Sequence, residues 1–194
     1  MLHVLLQIWG GGFYLLNKIF FSCAERSAGE SKRVWRVRSW IVYLLGLPAW
    51  VVILVGERNW MAASVEAGGA TSMILGLVIA RRGLGKVPKW LDYIARAAAV
   101  LGIAYSLYDL GGLTAITQLF ELGIVVGFLV GTYLLAKQKP SGYPWFMLMN
   151  LSNAVLMALE GYPWLTMQQI FSFCFVLDAF LMQREKARKA SQDL

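Results

Sequence analysis

A chain of 194 residues that is 58% apolar and 15% charged, with a mean hydropathy of +0.58, carries more apolar surface than one small soluble core can hide. Its net charge of +7 invites a nucleic-acid partner, but the charges gather between apolar runs instead of interleaving with aromatics on a soluble face, so none is expected. Two cysteines, one histidine (His3) and no CxxC, HExxH or dinucleotide-type glycine pattern remove the usual metal, hydrolase and nucleotide chemistries. No cofactor, metal site or catalytic residue is therefore expected.

Apolar runs of span length follow one another along the chain, and nothing alternates with the period of a barrel strand. The first, 2–22, holds Gln7; it lacks a basic leader and runs into Asn17 and Lys18 instead of a small-residue cleavage site, which predicts a retained span. The second, 40–55, contains Pro48, a candidate kink. The third, 60–80, carries Glu66 and Gly68–Gly69; the fourth is 90–108. Span five, 113–136, holds Glu121. Span six, 143–159, holds Tyr143, Phe146, Asn150 and Asn153. Span seven, 164–182, holds Gln168, Gln169 and Asp178. Trp40, Trp60, Trp90, Trp145 and Trp164 mark span ends, as interfacial belt residues do.

Basic residues follow spans one, three, five and seven, and only Arg58 of the eighteen falls in an opposite loop. This asymmetry predicts an external N-terminus, a cytoplasmic C-terminus and an odd number of spans. Cys23 and Cys174 then lie at or near the cytoplasmic side, where a disulfide is not expected.

A weak repeat recurs at an offset of about 105 residues, joining Trp40, Gly56 and Trp60 to Trp145, Gly161 and Trp164. The expected fold class is an all-α membrane protein of seven transmembrane helices, two parallel three-helix repeats joined by a linker helix. The repeats cover 1–82 and 113–194, the second ending in a short basic tail, and the linker covers 83–112. An odd linker lets both repeats share one orientation and enclose a single pathway.

Counted from the outer span ends, Glu66 lies about 9 Å and Glu121 about 12 Å deep, with Gln7, Gln168 and Gln169 at comparable levels. A charge near the bilayer centre costs about 2.5–3.5 kcal/mol, so such residues normally face a cavity. The opposing explanation is that amides and carboxylates lock helices together at under about 2 kcal/mol each. Tyr143, Phe146 and Asn150 fall at i, i+3 and i+7 on one helix face, two rings and an amide that suit a flat heteroaromatic solute. Asp178 lies lower, at the level of a cytoplasmic gate, with Arg184 as a candidate partner.

At these residues the chain resembles the nicotinamide riboside transporter family called PnuC, itself similar in architecture to the SWEET sugar facilitators. The family's span-six motif WxxWxxxN reads here Tyr143-Pro144-Trp145-Phe146-Met147-Leu148-Met149-Asn150, with the asparagine in place and other aromatics at both tryptophan positions. The glycine hairpin that follows is reached at Gly161, the polar positions of the next span fall at Gln168 and Asp178, and a preceding acidic position matches Glu121. The match is clearest over 121–184. The resemblance implies facilitated inward diffusion of a vitamin-like or nucleoside solute across the bacterial inner membrane, trapping by a cytosolic kinase, and a possible homotrimer. Sister groups of the same plan are assigned to thiamine or riboflavin.

Two functions follow, a small-solute transporter and a non-transporting membrane interaction or assembly protein. A continuous cavity bordered by Glu66, Glu121, Asn150 and Gln168 supports the first; a dry bundle with those groups paired to one another supports the second. No nucleophile–base pair favours an enzyme.

Overall fold

The computed structural model describes residues 2–111 and 115–192, with the side chains of residues 2, 3 and 190 outside the description. The expected start of span five at Leu113, the linker boundary at 112 and 113, and both chain ends lie outside the described residues. Among those described, the chain forms seven α-helices: α1 Leu2–Arg26, α2 Gly29–Gly56, α3 Trp60–Arg82, α4 Lys89–Asp109, α5 Ile116–Ala136, α6 Gly142–Leu159 and α7 Pro163–Gln192. A single 3₁₀ turn, Leu84–Lys86, precedes α4.

Local chemistry sets these boundaries. The Asn59 side chain accepts the Ala62 amide at 3.0 Å and so caps α3. Between α6 and α7 the chain reverses at Gly161, whose φ of +78° suits a residue without Cβ, and Pro163 opens α7 where its missing amide hydrogen is harmless. Helix α2 begins at Gly29, well before the apolar stretch that starts at Trp40. The basic segment between them continues the helix because Lys32 and Arg36 have a carboxylate partner on α1, described below.

Five helices, α1, α2, α3, α5 and α7, are long and apolar enough to cross a membrane. Their outward faces are apolar, with Leu5, Ile8, Val52, Ile74, Leu119, Phe171 and Leu181 exposed, the reverse of a soluble bundle. The protein is an all-α membrane protein. In α4 Lys89, Asp92 and Arg96 occupy the first two turns, and α6 carries Asn150, Ser152 and Asn153, features that lower the hydropathy of these two helices.

Six helices close a ring: α1 packs on α2, α2 on α3, α3 on α5, α5 on α6, α6 on α7 and α7 on α1. Helix α4 lies outside, touching only α3 and α5 among the other α-helices. Close approach inside the ring uses glycine, since a Cβ at Gly69 would enter the Phe128 ring and one at Gly76 the Trp40 ring. Trp40 is consequently 1% exposed and packs edge-on to Phe21, so it is a core residue and not an interfacial one. Trp60, Trp90 and Trp164 are exposed near helix ends, as belt residues should be.

Candidate functional site

Within the ring lies a cavity of about 580 Å³. Its lining comes from α1, α2, α3, α5, α6, α7 and the two hairpins α2–α3 and α6–α7, with nothing from α4. Glu57, Asn59, Glu160 and Tyr162 from those hairpins mark its mouth, and Lys18, Phe128 and Asn150 mark its depth.

Gln7, Glu66, Glu121, Asn150, Gln168 and Gln169 all line this one space, together with Asn153. Hydrogen bonds fix several of them. Asn150 Nδ2 donates to its own helix at the Phe146 carbonyl, 2.6 Å away, which leaves the buried Oδ1 without a partner. Gln168 Nε2 donates across to the Gly11 carbonyl of α1 at 3.0 Å. The Tyr14 hydroxyl donates to Glu66 Oε2 at 2.7 Å, tying α1 to α3.

Tyr143 and Phe146 do not line the cavity. Their helix face meets the protein: Phe146 packs edge-on against Phe21 and Tyr43, and Tyr143 points to α1. These rings form the floor. The i, i+3, i+7 spacing places all three residues on one side of α6, but that side is buried, and only Asn150 borders the cavity.

The charge pattern counts Lys18 with the basic residues that follow span one, and the fold corrects this. Lys18 lies inside α1, 1% exposed, with its Nζ donating to Asn17 Oδ1 at 3.1 Å and standing 4.3 and 4.2 Å from the ring centres of Tyr43 and Phe146. It is close enough to Glu66 for the two charges to interact. One feature signals this placement: Lys18 follows Tyr14 by four residues, which puts both on one face of α1.

Below the floor, a second polar cluster closes the far end. Glu25 is wholly buried and accepts from Lys32 at 2.7 Å, from Arg36 at 2.5 Å and from the Tyr143 hydroxyl at 2.9 Å. Lys186 of α7 donates to the Glu25 backbone carbonyl and to that of Ser27. Four helices, α1, α2, α6 and α7, thus meet at one residue. Beside it Asp178 of α7 takes Arg26 and Ser22 of α1, with the Arg26 Nη2 at 2.5 Å, so its partner is Arg26 and not Arg184. Sequence alone gives no sign of Glu25 as a hub, because its partners come from three other helices.

Both cysteines are free. Among the described residues no group of three or more His, Cys, Asp or Glu side chains is gathered for a metal ion. Comparison with family models, curated proteins and solved structures gives no match in any of the three.

Proposed function

We propose that this protein is a membrane transporter that lets a small polar solute diffuse through its central cavity without ATP. The single observation that carries the reading is a cavity of about 580 Å³ bordered jointly by Glu66, Glu121, Asn150 and Gln168, open at one end of the ring and sealed at the other. A volume in the range of roughly 300–1,000 Å³ suits a vitamin- or nucleoside-sized molecule.

The chain crosses the membrane seven times on this reading, α4 and α6 included, with its N-terminus outside and its C-terminus in the cytoplasm of a bacterial inner membrane. The closed six-helix ring with α4 outside supports two parallel three-helix units, α1–α3 and α5–α7, joined by a linker. The mouth then faces out, and the Glu25 cluster with the Arg26–Asp178 pair forms a closed inner gate. Rocking of the two units opens this gate as the outer mouth narrows. The PnuC-like pattern at Asn150, Gln168 and Glu121 supports a nicotinamide riboside-like or B-vitamin solute and a trimeric assembly, but the changed aromatics at Tyr143 and Phe146 lie in the floor.

The test is uptake of labelled vitamins and nucleosides, nicotinamide riboside and thiamine among them, into proteoliposomes with no ATP supplied. Saturable uptake of one of them is expected. A preparation that is folded, binds none and moves none overturns the transporter reading in favour of a membrane interaction protein.

A further inference from the structure

We propose, building on the transporter reading but departing from the quaternary ring cations nicotinamide riboside and thiamine, that the solute is a small organic cation whose charge sits on a protonated nitrogen with N–H donors: a primary or secondary ammonium, or an amidinium. The cavity lining holds four carboxylates, Glu57, Glu66, Glu121 and Glu160, against one ammonium, Lys18. Glu121 and Glu160 lie close enough to repel each other, so an entering cation relieves a repulsion that an anion would deepen.

Lys18 offsets this field only at the deep end, where it is close enough to Glu66 to interact with it. Its ammonium is held by Asn17 Oδ1 and faces the rings of Tyr43 and Phe146, at the deep end of the cavity. There it acts as a stop, repelling a cation that has passed Glu121 and reached Glu66 while the floor is shut.

The amides narrow the class from cation to donor-bearing cation. In the deeper lining, Asn150 and Gln168 each donate their NH₂ group to a backbone carbonyl, Asn150 to Phe146 and Gln168 to Gly11, whereas Asn59 at the mouth accepts the Ala62 amide through its oxygen. What Asn150 and Gln168 have left is an oxygen. Asn150 Oδ1 is buried and unpartnered, and Glu66 keeps Oε1 while Tyr14 occupies Oε2. The result is an array of acceptors, which a solute fills with N–H groups; a quaternary ammonium brings charge without donors and leaves Asn150 Oδ1 unpaired. On the donor side, Trp50 Nε1 is a buried, unpartnered group in the lining, a site for an acceptor on the solute.

Movement of such a solute alone carries charge. An inside-negative potential of 100 mV should then favour accumulation by about 50-fold.

Four phenyl probes of similar size separate charge from donors: benzylamine at neutral pH, benzyltrimethylammonium, benzyl alcohol and benzoate. Calorimetric titration of the full-length purified protein should show benzylammonium binding at least tenfold more tightly than the other three. Glu66→Gln and Glu121→Gln should each weaken it at least fivefold, the Glu121 variant without lowering the melting temperature by more than a few degrees. Glu121 is half-exposed to the cavity, so its variant keeps the test open if the Glu66 variant does not fold. Equal or tighter binding of benzoate, benzyl alcohol or the quaternary probe overturns the class, as does binding of none. Uptake of any vitamin or nucleoside, nicotinamide riboside and thiamine included, with no benzylammonium binding overturns the class and leaves the transporter reading standing. Benzylammonium binding with no uptake of it or of any vitamin or nucleoside leaves the cation site standing and removes the transporter. Where benzylammonium is taken up, a potassium diffusion potential set by valinomycin should raise its accumulation, and indifference to that potential overturns the electrogenic step.

Discussion

Tyr143 and Glu25 stand 118 residues apart in the chain and 2.9 Å apart in the fold, the phenol of one donating to the wholly buried carboxylate of the other. The bond joins α6 to α1 beneath the cavity floor. Because Glu25 also takes Lys32 and Arg36 of α2, the same carboxylate gathers both halves of the ring at the closed end. A charge held by two cations and a phenol can remain buried where a lone one could not.

Removing either member of that bond should therefore have unequal effects. Tyr143→Phe deletes one donor to a carboxylate that keeps two cationic partners, and should cost about 1.5–3 kcal/mol. Glu25→Gln leaves Lys32 and Arg36 without their anion and should cost about 3–5 kcal/mol. Reversible unfolding in mixed detergent micelles measures both. Equal losses would mean that Glu25 is not the centre of the cluster.

If the Arg26–Asp178 pair closes the inner gate as proposed, Asp178→Asn should loosen that end without unfolding the protein. The Arg26 side chain bonds both Asp178 oxygens, at 2.5 and 3.2 Å, and Ser22 shares one of them. Cys23 lies next to Ser22 on α1 and is half-buried. In a Cys174→Ser background, a membrane-impermeant maleimide should label Cys23 several-fold faster in the Asp178→Asn variant. An unchanged rate would remove Asp178 from the gate.

Glycine contacts give a paired test of ring packing. Gly76→Ala drives a methyl into the Trp40 ring and Gly131→Ala one into Phe146, and each should destabilise by about 1–3 kcal/mol or more. At Gly12 no atom lies within 4 Å of the added Cβ, so Gly12→Ala should be neutral or stabilising by up to about 1 kcal/mol. A melting series orders the three.

The residues just named also mark where sequence reading stops. Depth along a span is a local quantity, one residue per 1.5 Å, and it groups Glu66, Glu121, Gln7, Gln168 and Gln169 at a level where the fold puts a cavity. Face is also local, so Tyr143, Phe146 and Asn150 share a side of α6 as their spacing says. What that side meets is not local: Tyr143 answers to Glu25 and Phe146 to Lys18, on a helix more than a hundred residues away. Lys18 illustrates the same limit from the other direction. A lysine near the end of an apolar run reads as a loop charge, and only Asn17, Tyr43 and Phe146 together make its burial affordable. The helical basic start of α2 is illegible in sequence for the same reason, since its partner Glu25 sits on α1.

Orientation in the membrane has a direct check. With all basic residues but Arg58 on the odd-numbered side of the spans, apart from the buried Lys18, a reporter fused after Leu194 should be cytoplasmic and one before Met1 external. Both termini on one side would remove the odd span count and the parallel units with it.

The pairing of Lys18 with Glu66 should show itself as coupling between two substitutions. Lys18→Met keeps a long apolar chain against Tyr43 and Phe146 but removes the cation from their faces, a loss of about 0.5–2 kcal/mol, and strips Glu66 of a nearby positive charge. Glu66→Gln retains an acceptor for the Tyr14 hydroxyl while leaving Lys18 as the uncompensated charge. Each single change therefore exposes the other group's burial, and the double variant exposes neither. Its loss of stability should fall short of the sum of the two single losses by about 1–3 kcal/mol, as expected for charges sharing one buried site. Strict additivity would mean that the two charges do not feel each other across the cavity, and that Asn17 and the two rings hold Lys18 unaided.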